Sequence, residues 1–293
     1  MALTATSAES TFLILAPEKA SRLESFQRVT CDGAEHARVL SQMQVMRGLV
    51  ALNEGAIRPH QLDSHGRHIM SGDSDSWHLL RMSSDGKVRG CVRILVHAEQ
   101  STFSSLRLAS AAIAVSPEWG PRLKAIVELE LESARQSSLT IVEPGGWVLD
   151  ESLRGNQEAI SLALSVFAWS QLVGGCMAYV TATVKHGSSS MLRRLGGRPI
   201  RYADQDIGRY YDPHYECEME VLRIDNQSLN PKFEPMMAPL RALLSASHVI
   251  KSDGDATESQ ATSPHSRAAN VFVGSPLHSP RSGEVGNNVS LAF

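Results

Sequence analysis

Hydrophobic and polar positions recur along this chain in two periods, one helical and one extended, and the two kinds of segment interleave. From Ala34 to Leu52 the apolar residues Val39, Met43, Met46, Leu49 and Val50 share one helical face, with Arg38 and Arg47 beside it. Trp77–Met82 and Lys87–His97 read as strands joined by a turn at Ser84-Asp85-Gly86. Leu106–Val115 is another extended run, closed off by Pro117. Pro121 suits the first turn of a helix reaching Ser137, whose buried face carries Leu123, Ile126, Val127 and Ala134. Leu139–Leu149 follows as a strand interrupted by Pro144-Gly145-Gly146.

No residue from Ile160 to Val184 is charged, a length that exceeds the roughly 20 apolar residues of a membrane span. Ser161, Ser165, Ser170, Gln171, Thr181 and Thr183 lower its hydropathy, however, and Gly174-Gly175 divides it. Glu158–Val173 is apolar nearly all round and reads as a buried helix; Cys176–Val184 is rich in β-branched residues and reads as a central strand. Ser188–Leu195 is a short helix closed by Gly196-Gly197, and Tyr215–Ile224 a final strand. The alternation predicts one mixed α/β domain over 26–225, after an N-terminal extension of 1–25. A helix within 226–250 carries Met236, Met237, Leu240, Leu243 and Leu244, and the Ser, Pro and Gly-rich stretch 251–293 is expected to be a disordered tail.

The formal charge of −3 and isoelectric point near 6.4 give no global attraction to nucleic acid or anionic lipid. The basic cluster Lys185, Arg193, Arg194, Arg198 and Arg201 therefore reads as a local docking surface or a solvated helix face. The chain's 4 cysteines lie far apart, and His65 and His68 lack a second ligand pair, so neither a disulfide framework nor a metal site is expected. The apolar run Phe12–Leu15 is too short for an export signal, and the expected location is cytoplasmic, with no membrane span.

Candidate chemistry centres on Pro144-Gly145-Gly146. Proline removes a ladder hydrogen bond from a strand, and a bulge here would splay the strand from its neighbour and open a notch at the end of the sheet. Glu143 stands just before the bulge, and Asp150–Ala159, with its Arg154-Gly155 turn, leads into the buried helix, where backbone N–H groups can receive an anion. Two readings stand on these residues alone: a tight bend with Glu143 in a surface ion pair, or a ligand site.

A strand with Glu143, then Trp147-Val148-Leu149, an Arg-Gly turn, a buried helix, a strand and a short helix ending in Leu192-Arg193-Arg194-Leu195-Gly196-Gly197 resembles the acyl-CoA-binding core of the GNAT acyltransferases. Within that superfamily, Asp85–Ile94 is similar to the hairpin of acyl-homoserine lactone synthases and N-acyl amino acid synthases, and the resemblance spans Ala34 to Ile224. It implies a GNAT-like fold and transfer of an acyl group from acyl-CoA or an acyl carrier protein to a small amine such as an amino acid. Trp147, Val148, Leu149, Arg154, Gly155, Asn156 and Ala159 would hold the donor, with an oxyanion met by a backbone N–H of Trp147 or Val148. Gln157 departs from the family's R/Q-x-x-G-x-G/A phosphate pattern, which fits a branch that grips the phosphopantetheine arm more than the nucleotide. Glu143 is the implied general base, and Asp63, Asp75 and Arg93, with Asp73 nearby, are the implied acceptor-binding positions; Tyr202, Tyr210 and Tyr211 are available from the following loop. The rival readings are an acetyl-CoA-dependent acetyltransferase and a non-catalytic GNAT-fold binding module.

Overall fold

The computed structural model describes residues 11–153, 158–185, 187–225 and 227–253. In chain order they form β1 (Thr11–Ala16), β2 (Arg28–Cys31), α1 (Gly33–Asn53), β3 (Ser76–Met82), β4 (Val88–Val96), α2 (Gly120–Gln136), β5 (Thr140–Leu149), α3 (Glu158–Leu172), β6 (Cys176–Thr183) and α4 (Ser188–Leu195). Short strands β7 (Arg198–Pro199), β8 (Arg201–Tyr202), β9 (Gln205–Asp206) and β10 (Tyr210–Asp212) precede β11 (Cys217–Asp225), α5 (Glu234–Ala246) and β12 (His248–Lys251). The main sheet runs β10-β11-β6-β5-β4-β3-β1-β12-β2, with β7 also on β11. The α/β class and the interleaving of helix and strand are as the periodicity predicts.

Strand alternation sorts the core into two faces. Trp77, Leu79, Val92, Ile94, Val142 and Trp147 pack against α3 and α5, and α3 itself is buried through Leu162, Leu164, Phe167 and Trp169. On the opposite face Leu80, Cys91 and Val148 meet Val39, Met43 and Val50 of α1, while Ile141, Met177, Tyr179 and Val221 meet Leu123, Val127 and Leu131 of α2. Asp32 caps α1 by accepting from Glu35 N at 2.9 Å.

Several segments differ from the pattern read in the sequence. Thr11–Ala16, within the segment 1–25, pairs antiparallel with β3 and parallel with β12 inside the sheet. His248–Lys251, after the helix expected within 226–250, is a strand between β1 and β2. Leu106–Val115 forms no strand; Phe103–Ser105 and Arg107–Ser110 are single 3-10 turns. On α1, Leu49 is exposed and Arg47 is buried, the reverse of a simple apolar stripe. The tail from 254 onward lies outside the described residues.

Candidate active site

The register between β4 and β5 shifts by one residue: Cys91 opposes Val148, whereas Arg93 opposes Gly145. The extra β5 residue is a bulge, and Gly146 takes a φ of +59°, a conformation that favours glycine. The shift also switches facing, so Val142 and Trp147 both point to the α3 side. β5 and β6 are parallel neighbours only from Thr140↔Cys176 to Val142↔Ala178. Past that point they part, and Pro144 falls there. Ile141 O accepts from His97 N of the β4 side, so by alternation Pro144 faces the departing β6. Its missing N–H costs no ladder bond.

Two cavities meet at this splay. On the α3 face an apolar cavity of about 50 Å³ is lined by Val142, Trp147, Phe167, Trp169, Val180 and Leu192. On the other face a cavity of about 480 Å³ is lined by Arg93, Arg107, Glu143, Tyr179, Tyr210 and Tyr215 among others. Pro144 and Gly145 border both. The bulge is thus the common wall between an apolar and a polar chamber.

Within the polar cavity Glu143 is buried, at 6% exposure. Its Oε2 accepts from His97 Nε2 at 2.7 Å and Arg107 N at 2.8 Å, and its Oε1 accepts from Leu108 N at 2.8 Å. The carboxylate therefore fixes the 3-10 turn over Arg107–Ser110 that forms one cavity wall. Arg93 Nη1 and Arg107 Nη1 both donate to Ser71 O, at 2.9 and 2.7 Å. Asp73, 3% exposed, is engaged elsewhere: Arg47 reaches it through both terminal nitrogens, and Gln44 Nε2 and Met70 N donate to it at 3.0 Å. Arg93 approaches it only at 3.6 Å. Burial, then the charge of Arg107, pulls the Arg93 guanidinium down to about 10, with Asp73 opposing. Burial works to push Asp73 up, but the hydrogen bonds and charge of Arg47 outweigh it and hold Asp73 down at about 2. The Tyr210 hydroxyl is buried with no hydrogen-bond partner among the described residues, and burial raises its pKa.

The other sequence candidates divide. Arg93 and Glu143 line the same cavity. Asp63 does not; it pairs with Arg67 at 2.7 Å and caps its own turn. Asp75 is exposed, so neither is brought beside Arg93 in that cavity. Trp147, Val148 and Leu149 are all buried on β5, with Trp147 and Leu149 side chains on the α3 face and Val148 on the α1 face. Ala159 sits half-buried in the first turn of α3. Arg154, Gly155 and Asn156, with Gln157, lie outside the described residues. Tyr210 lines the polar cavity, while Tyr202 and Tyr211 are exposed. Burial pushes the Cys91 thiol up to about 12 and the Cys176 thiol to about 11, as suits core residues rather than nucleophiles. Sequence reasoning missed His97, Arg107 and Tyr215, and it placed Arg47 only at the edge of a helix face. No cluster of ligating side chains that could hold a metal ion is found among the described residues, and none of the described helices is long and apolar enough to cross a membrane.

No family model matches the chain, and no curated protein matches it. Among solved structures it is similar to the AHL synthase LasI, at 15% identity over 75% of this chain and 91% of that one, with a TM-score of 0.46. A CoA-dependent acyl-homoserine lactone synthase, BjaI, with SAM and isopentyl-CoA, matches at 14% identity over 83% and 93%, TM-score 0.44. FeeM, an N-acyl amino acid synthase from uncultured soil microbes, matches at 12% over 69% and 92%, TM-score 0.42. The β5 bulge, the β5–β6 splay and the helix joining those strands are the features that the sequence pattern led one to expect at this place.

Proposed function

We propose that the protein is an N-acyltransferase that moves an acyl group from a thioester to an amine. The observation that carries this reading is the meeting of an apolar and a polar cavity at Pro144 and Gly145. An acyl thioester has an apolar tail and a reactive polar head, and the bulge is where a tail in one chamber would present its carbonyl to a nucleophile in the other. The apolar chamber is small as it stands, so a long acyl chain must displace side chains around Phe167 and Trp169 to enter.

The chemistry then needs three things: a proton leaves the amine, the carbonyl carbon becomes tetrahedral with an oxyanion, and a thiolate departs. Glu143 is the proton acceptor in this reading, through the lone pairs not taken by His97, Arg107 N and Leu108 N. The oxyanion is assigned to the β5 backbone near Trp147 and Val148. The thiolate of a pantetheine donor is a good leaving group near pH 8, with a free-thiol pKa of about 8.5. Trp147–Leu149 and Ala159, with the sequence segment Arg154, Gly155 and Asn156, are proposed to hold the donor's pantetheine arm and phosphate, whether that donor is acyl-CoA or an acyl carrier protein.

The acceptor reading changes from the sequence expectation. The polar cavity carries charges of both signs, with Arg93 and Arg107 sharing one carbonyl oxygen alongside the carboxylates of Glu143 and Asp212. That favours an amine that also bears a carboxylate, as an amino acid does. The test is mass spectrometry of small-molecule extracts from cells expressing the protein and its Glu143→Gln variant. New N-acylated amines that disappear in the variant are the expected result, and a loss of at least about 100-fold is the scale of a missing general base. Equal product from both proteins removes Glu143 from the mechanism; no product from either, with the protein folded, favours a binding module.

A further inference from the structure

A third cavity, of about 310 Å³, lies beside the polar chamber and is lined by Ile57, Arg58, His60 and Gln61 on one side. Its other side is the turn between β10 and β11, through Pro213, His214, Tyr215 and Glu216. Pro213, His214 and Tyr215 also line the polar chamber, so this turn is the partition between the two.

The partition is lightly held. Asp212 Oδ1 stiffens its start by accepting from His214 N at 2.9 Å and Tyr215 N at 3.3 Å. Across to the segment after α1 it is fastened by Arg58 Nη2 on Glu216 Oε2 at 2.6 Å and by Gln61 Nε2 with His214 Nε2 at 3.3 Å. Both partners of the ion pair are more than half exposed, at 54% and 62%, and such pairs contribute little in water. Glu216 has a φ of +49°, which a non-glycine residue adopts at a cost. Among the described residues β10 ends the sheet and pairs with β11 alone, so displacing the turn disturbs a single short ladder, Tyr210↔Met219 to Asp212↔Cys217.

We propose that the Pro213–Glu216 turn is a gate, and that the acceptor amine reaches the acyl-transfer site through the cavity beside Arg58. The second half of this inference rests on the acyltransferase reading above. Arg58 and Glu216 satisfy each other's charge when the gate is shut. A zwitterionic amino acid carries a carboxylate and an ammonium close together, and can take over both partners at once, so its arrival replaces the latch with contacts of the same kind. Behind the turn the next cations are Arg93 and Arg107, which would receive the carboxylate after the gate is passed.

The gate can be tested without any acyl transfer. Ala112 lines the polar chamber and serves as a reporter position in an Ala112→Cys, Cys31→Ser background, labelled with N-ethylmaleimide and read by peptide mass spectrometry. Adding Arg58→Ala should raise the labelling rate by about two- to fivefold if exposed fasteners set the opening equilibrium. Equal rates overturn the gate. If the reporter variant does not fold, hydrogen exchange on the otherwise unaltered chain decides: Arg58→Ala should speed exchange at 214–217 and leave β5 unchanged, and no change at 214–217 overturns it. Acceptor entry is read separately, as a change in the acceptor KM of Arg58→Ala with the donor KM unmoved. An unmoved acceptor KM with a faster-opening turn overturns the route while leaving the gate, and absence of any acyl transfer bears on the function alone.

Discussion

His78 and Asp73 show how single residues tie this site to stability. His78 is fully buried on β3, and its Nε2 donates to Asp73 O at 2.7 Å. Burial is the main reason its pKa falls to about 4; the charge and carbonyl of Asp73 oppose, and Arg47 and Arg93 assist. The folded value lies below the unfolded value of about 6.5, so the unfolded chain takes the proton first. The stability this contributes is complete above about pH 6.5 and is lost as pH falls toward 4, by roughly 3 kcal/mol for a displacement of this size. His68, half-buried and held at about 4 chiefly by burial, acts in the same window. Asp73, held at about 2, contributes stability that persists lower and disappears only as pH drops from about 4 toward 2. Urea unfolding midpoints at pH 7, 5.5 and 4.5 should therefore fall steadily, and His78→Gln, which can still donate to Asp73 O but cannot charge, should flatten that fall. An unchanged pH slope in His78→Gln would assign the loss to other groups.

At the scale of elements, the β5 bulge does more than bend a strand. It shifts side-chain facing so that Glu143 shares the α1–α2 face with Arg93 while Trp147 joins the α3 core. Gly146 sits at the turning point, and a Cβ there would lie 3.3 Å from Arg47 Nη1 and 3.4 Å from Met70 Sδ, on top of the positive φ. Gly146→Ala is expected to cost about 1–3 kcal/mol and to disturb the buried Arg47–Asp73 pair, seen as a lower melting temperature together with lower turnover. An alanine variant with wild-type stability would show that the bulge does not depend on that glycine. The Pro-Gly-Gly interruption of an otherwise apolar strand was legible in the sequence because its propensity cost there is high. α1 and α2 were legible too, since each repeats its apolar positions over several turns, while α3 showed by being apolar nearly all round and α4 by the Gly196-Gly197 that closes it. The run Leu106–Val115 misled because its apolar residues pack from irregular turns whose amides are satisfied by Glu143, a partner distant in sequence. The Arg47–Asp73 pairing left no local mark: neither residue's type or spacing distinguishes a buried ion pair from two solvated charges.

At the scale of the whole molecule, the sheet is closed by strands from both ends of the described chain. β1 lies between β3 and β12, and β12 lies between β1 and β2, so the order of the sheet joins segments distant in sequence. Four-residue strands such as His248–Lys251 and Arg28–Cys31 carry too few positions for alternation to show, which is why they were not legible. Their energetic weight is large all the same. Val249 and Ile250 are nearly fully buried, one in the α5 side of the core and the other against α1, so β12 pins the two faces together. Val249→Asp would bury an unpaired carboxylate in the first of these and is expected to prevent stable folding, whereas Lys251→Ala, at the strand end, should change stability by less than about 0.5 kcal/mol. Circular dichroism melting of the two variants checks this directly. If Val249→Asp melts like the parent, then β12 is dispensable, and the sheet that aligns β4, β5 and β6 around the splay must be held by α3, α1 and α2 alone.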